Sequence, residues 1–127
     1  MPQDDVVDVR WAEVTMDCAD PVRAASFWQA VLGGAIHEPL PGWRRLTVEG
    51  RPDLTFQPVP EPKTVKARVH LDLVVGDLGE ALALVTSLGG RATGERHVYP
   101  EGTVAVVTDT EGTEFCMVEH TSTPDGG

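Results

Sequence analysis

Four side chains far apart in the chain carry lone pairs suited to holding a cation or polarising a small molecule: the Glu13 carboxylate, the Gln57 amide, the His70 imidazole and the Cys116 thiol. They can act together only if the fold gathers them, and an internal repeat gives the reason to expect it. Glu13-Val-Thr-Met-Asp-Cys-Ala-Asp20 and His70-Leu-Asp-Leu-Val-Val-Gly-Asp77 are both strand-like and both end in Asp, so 13 aligns with 70 and 20 with 77. Asp53-Leu-Thr-Phe-Gln57 and Gly112-Thr-Glu-Phe-Cys116 align in the same way, setting Gln57 opposite Cys116. If the two units close around a shared cleft, four strands deliver Glu13, Gln57, His70 and Cys116 to it.

Strand alternation then sorts the neighbours of these residues. In the first copy Val14, Met16 and Cys18 share the face that packs under a helix, leaving Glu13, Thr15 and Asp17 on the cleft face. In the second, Val69, Leu71, Leu73 and Val75 take the helix side and His70, Asp72 and Val74 the other. Carboxylates such as Asp17 and Asp72 are costly to bury unless paired or used, so Asp72, with Glu13, is a candidate acid or base. Trp43, Arg44 and Arg45 open a strand after a Pro-Gly turn, where an arginine can neutralise such carboxylates or hold an anionic substrate. His37 and His97 lie near strand ends without a paired motif and carry no assignment.

The elements that must position these residues are legible in both copies. Asp20 N-caps a first helix with Pro21 in its first turn, and Ala24, Ala25, Trp28, Val31 and Leu32 recur at helical spacing. Asp77 and Glu80 open a second helix, striped by Leu78, Ala81, Leu82, Val85 and Leu88. Both helices run into Leu-Gly-Gly, at 32–34 and at 88–90, as a left-handed terminus prefers. Three strands follow each helix: about 35–38, 43–48 and 54–58, then about 91–98, 104–108 and 114–119, divided by Pro-Gly, Glu-Gly and Pro-Glu-Gly turn signals. The expected fold is α+β: two tandem βαβββ modules forming a curled eight-stranded mixed sheet around a central cleft, with the helices on the outer face. The first module covers about 11–59 and the second about 68–120. A proline-bearing linker at about 60–67 joins them and should be exposed, and the tail 121–127 should be loose.

With 127 residues and 41% apolar content the chain can build one core and no second domain of ordinary size. A formal charge of −10 disfavours nucleic acid and anionic membranes and suits a neutral or cationic ligand. The acidic start MPQDDVVDVR does not read as a secretory signal, and no apolar run reaches the ~18 residues of a membrane span. Cys18 and Cys116 lie in strand-like runs rather than a disulfide framework, and the expected location is the cytoplasm.

Over about residues 11–120 the chain resembles the vicinal oxygen chelate superfamily of glyoxalase-like, bleomycin-resistance-like and ring-cleaving dioxygenase proteins, in its glyoxalase-like branch. The resemblance is carried by Arg68-Val-His70-Leu-Asp-Leu, by Asp-x-x-Gly-x-Glu-Phe at 109–115 and by Phe56-Gln-Pro-Val-Pro-Glu-Pro-Lys63, on top of the paired modules. Enzymes of that superfamily take metal ligands from the first and fourth strands of each module, which implies His70, Glu13, Gln57 and Cys116 here. Where they generally place a carboxylate this chain has Cys116, and a thiolate, though a competent zinc ligand, does not perform a carboxylate's proton transfer. One histidine among the four positions disfavours an iron ring-cleaving activity, which needs two.

Two functions follow from the resemblance. One is a lyase or isomerase in which a divalent metal (Zn, Ni, Fe or Mn) polarises neighbouring oxygens of a small substrate. The alternative is a metal-free, bleomycin-resistance-type protein that sequesters a compound in the cleft. Open sheet edges point to a homodimer, with the cleft completed within one chain or across two.

Overall fold

In a computed structural model of the protein, residues 7, 8 and 10–121 are described. Residues 122–127 of the tail lie outside them; Thr121 donates its amide to the Glu101 carbonyl at 2.8 Å. The first module runs β1 (Glu13–Cys18), α1 (Pro21–Leu32), β2 (Ala35–His37), β3 (Arg44–Thr47) and β4 (Asp53–Pro58). The second runs β5 (Asp72–Val74), α2 (Leu78–Ser87), β6 (Arg91–Tyr99), β7 (Gly102–Thr108) and β8 (Glu114–His120). Each module forms a four-stranded mixed sheet, ordered β1-β4-β3-β2 and β5-β8-β7-β6, with only the first pair of each parallel. The duplicated βαβββ architecture is thus present as two sheets of one α+β fold.

Local chemistry explains the helices. Asp20 accepts the Arg23 amide at 3.1 Å and Asp77 the Glu80 amide at 2.8 Å, each satisfying an otherwise orphaned first-turn donor. The two glycines of each Leu-Gly-Gly divide the labour. Gly33 and Gly89 hold the positive φ angles, +77° and +94°, that end the helices. Gly34 and Gly90 lie so close to the Thr47 and Thr108 carbonyls that a Cβ would collide with the backbone of the module's third strand.

The periodicity places the core as read: Cys18, Ala24, Ala25 and Trp28 are buried, with Val14, Met16, Leu71 and Leu73 packed against them. The spacing did not single out Phe27, which is buried beside Trp28 and reaches Phe115 of β8 with ring centroids 6.1 Å apart. Val69, expected on the helix side, is 82% exposed because the regular strand begins only at Asp72.

The modules are joined through α1 and the turn between β7 and β8. Trp28 stacks tilted on Phe115 at 4.7 Å and donates its indole N–H to buried Asp109 at 2.9 Å. Both Glu111 oxygens accept backbone amides at the start of α1, from Ala19 at 2.7 Å and Asp20 at 3.0 Å. A negative charge belongs at that end of a helix.

Candidate functional site

The register of the second sheet sets Asp72 beside Cys116 on adjacent parallel strands, and alternation turns both side chains away from α2. His70 stands two residues before Asp72 on the same side. The result is a compact group: donor atoms of His70, Asp72 and Cys116 all lie within 4.8 Å of one another. His70 Nε2 is 3.4 Å from Asp72 Oδ1, and both side chains are open to solvent while Cys116 is buried. Burial, and then the neighbouring Asp72 carboxylate, push the Cys116 thiol up, so it carries its proton at neutral pH.

Glu13 stands outside this group. It accepts Arg45 Nη2 at 3.2 Å and Thr15 Oγ1 at 3.3 Å, and Arg45 Nε in turn donates to the fully buried Thr55 at 3.1 Å. The carboxylate is thereby neutralised within its own sheet. Gln57 pairs in register with Asp17 on the same sheet.

Between the modules opens a cleft of about 420 Å³. Thr15 and Asp17 of β1 line it, as do His70, Glu114 and Phe115, and so do Val14, Met16 and Leu71, which alternation had assigned to the helix side alone, together with Trp28 of α1. Its remaining wall is the linker, including Val59, Glu61, Pro62, Lys63, Val65 and Ala67. His70 therefore belongs both to the donor group and to the cleft. Among the residues expected to face a ligand, Thr15, Asp17 and His70 line the cavity, whereas Glu13, Gln57, Asp72 and Cys116 do not.

Glu114, which sequence reasoning passed over, fastens the linker. Its Oε1 accepts the Ala67 amide at 3.1 Å and meets Lys63 Nζ at 2.9 Å. Burial alone would raise its carboxyl, but Lys63 and the backbone donors outweigh that and hold it at about 2. The missed signal was its place two residues before Cys116, on the same face of β8.

A family model described as a glyoxalase-like domain matches residues 13–118, both modules with their linker. The chain belongs to the glyoxalase-like domain family. No curated protein matches it in sequence. Solved structures share the fold of this glyoxalase-like chain. A glyoxalase/bleomycin resistance protein/dioxygenase family enzyme from Burkholderia phytofirmans superposes with TM-score 0.73 at 16% identity, covering 89% of this chain and 100% of its own. The fosfomycin resistance protein FosX from Listeria monocytogenes, solved with Mn(II) and sulfate, gives 0.72 at 15% identity over 94% and 95% of the two chains. A hypothetical protein from S. aureus gives 0.65 at 20% identity over 87% and 97%.

The donor set of this chain suits a metal. Imidazole nitrogen, carboxylate oxygen and thiolate sulfur are the three ligand types of zinc, and three protein ligands leave a coordination position open. Among the described residues no helix is long and apolar enough to cross a membrane.

Proposed function

We propose that this glyoxalase-like protein binds a small amphipathic molecule in the cleft between β1 and β8, beside one divalent metal held by His70, Asp72 and Cys116, and that it acts in the cytoplasm as a homodimer. The observation that carries the reading is that His70 belongs to both the donor group and the cavity wall. A bound divalent cation would supply Lewis acidity to oxygen atoms of the ligand. The chain's own residues supply the rest. Met16, Trp28 and Phe115 remove the apolar body of the ligand from water, while Thr15 and Asp17 offer polar contacts at one side.

Charge favours a neutral or cationic ligand. Lys63 in the cavity wall is cancelled by Glu114, whereas Asp17 and Glu61 have no ion-pair partner among the described residues. Support for the dimer comes from β6, an edge strand with all nine residues exposed, Val98 and Tyr99 among them. Catalysis as a lyase or isomerase would need an acid or base near the metal, and Asp72 is the carboxylate at hand.

The second reading, metal-free sequestration, is favoured by the Glu13–Arg45 pair, which leaves the first module without a free carboxylate at the family's expected ligand position. Calorimetry of amphipathic cations, with and without added Zn(II) or Mn(II), separates the two. Metal-enhanced binding with a negative heat-capacity change supports the first reading, metal-independent binding the second, and no binding in either condition overturns both.

A further inference from the structure

The linker is the cleft's least anchored wall. At one end the Val59 amide donates to the Cys18 carbonyl at 2.9 Å, and at the other the Leu71 carbonyl accepts the Cys116 amide at 2.9 Å. Between those points, among the described residues, no backbone–backbone hydrogen bond ties residues 60–70 to either module. Apolar burial contributes little, since Val65 and Val69 are 76% and 82% exposed although both border the cavity. Pro60 and Pro62 stiffen the first half of the segment, so it should move as an arm rather than crumple.

Before His70, which meets Asp72 at 3.4 Å, one side chain of the modules holds this arm down. Glu114 takes both the Ala67 amide and the Lys63 ammonium on a single oxygen, and the pair is largely withdrawn from water, with side chains 19% and 22% exposed. A segment with firm ends, few interior bonds and one charged fastening is drawn from the low-stability end of a protein's local openings.

We propose that residues 60–69, ending before His70, form a hinged strap over the cleft, latched by Glu114, and that its opening sets the rate at which a ligand enters and leaves. The strap rests on the reading of the cavity as a ligand site. Val65 and Val69 lose water only when a ligand lies beneath the strap, which couples closure to occupancy. Glu114 acts through the strap as a positioning residue.

The test compares the full chain with Glu114→Gln and Lys63→Met by two measurements. One is hydrogen exchange followed by mass spectrometry, and the other is stopped-flow binding of Nile red, a neutral hydrophobic dye. Loss of the charged fastening should speed exchange across residues 61–69 about tenfold in either variant, with exchange in α1, β7 and β8 unchanged. Association and dissociation of the dye should both accelerate in either variant, because a gate changes access in both directions. Unchanged exchange in the strap overturns the latch. Faster dissociation with unchanged association shows Glu114 to be a contact and not a gate, and sinks the proposal while the ligand site stands. Failure of the dye to bind the parent chain removes the ligand site, and the gate with it.

Discussion

The indole nitrogen of Trp28 in the first module donates to the carboxylate of Asp109 in the second at 2.9 Å, and both residues are buried. The other Asp109 oxygen accepts the amides of Glu111 and Thr113 at 2.8 and 2.9 Å. One carboxylate thus closes the turn between β7 and β8 and clamps it to the wall of the cleft.

Asp109→Asn should therefore destabilise the fold by about 1–3 kcal/mol, since an amide cannot serve all three donors and leaves one unsatisfied. The loss should also depend on pH. Burial raises the Asp109 pKa in spite of those hydrogen bonds. The folded state thus holds its proton to higher pH than the unfolded state does, and this contribution is complete below the unfolded value and fades as pH rises through the folded one. Denaturant titrations should accordingly show the gap between parent and variant narrowing as pH rises above ~4. A gap that widens contradicts the assignment.

Cys18 should resist alkylation in the folded protein. Burial, followed by the charges of Glu111 and Asp109, pushes its thiol up to about 12, so thiolate is scarce at about pH 8. Mass spectrometry after iodoacetamide should find Cys18 unmodified until denaturant is added. Labelling at the rate of a free cysteine would contradict its burial.

Gly90→Ala should cost about 1–3 kcal/mol, because the new Cβ meets the Thr108 carbonyl, the Val85 side chain and Phe27 at once. Gly112 is a fair control: its φ is +80° but nothing lies within 4 Å of an added Cβ, so alanine there should cost only about 1 kcal/mol. Thermal unfolding of the two variants ranks them, and the reverse order would show that Gly90 is not tightly packed.

Glu13→Gln should leave metal affinity within about twofold of the parent value, whereas His70→Ala should lower it at least about tenfold. Equilibrium dialysis against Zn(II) reads both. Equal losses would place Glu13 back among the ligands.

The fold was legible because the duplication is written twice in the same vocabulary: an Asp cap, an apolar helical stripe and Leu-Gly-Gly. The nearness of His70 to Cys116 was legible for the same reason, since alignment of the modules put them on first and last strands, although His70 stands two residues before β5 and Asp72 is the one in register with Cys116. The destination of Glu13 was not, because its partner Arg45 comes from β3 and is set by the β3–β4 register. Asp72 was placed on the cleft face but not among the metal donors, although its spacing from His70 put both on one side of a strand. The Trp28–Asp109 bond and the caps from Glu111 join residues about eighty to ninety positions apart. No local pattern announces such contacts. The linker's part in the cleft was hidden by a composition that reads only as exposed and proline-stiffened.

The most direct test of the metal site is titration of the chelator-treated protein with Co(II), followed by optical absorption. One equivalent should bind and give thiolate-to-cobalt charge-transfer absorption, which Cys116→Ser abolishes and Cys18→Ser leaves intact. Absence of stoichiometric binding, or charge-transfer absorption that survives in Cys116→Ser, would contradict a metal held by His70, Asp72 and Cys116.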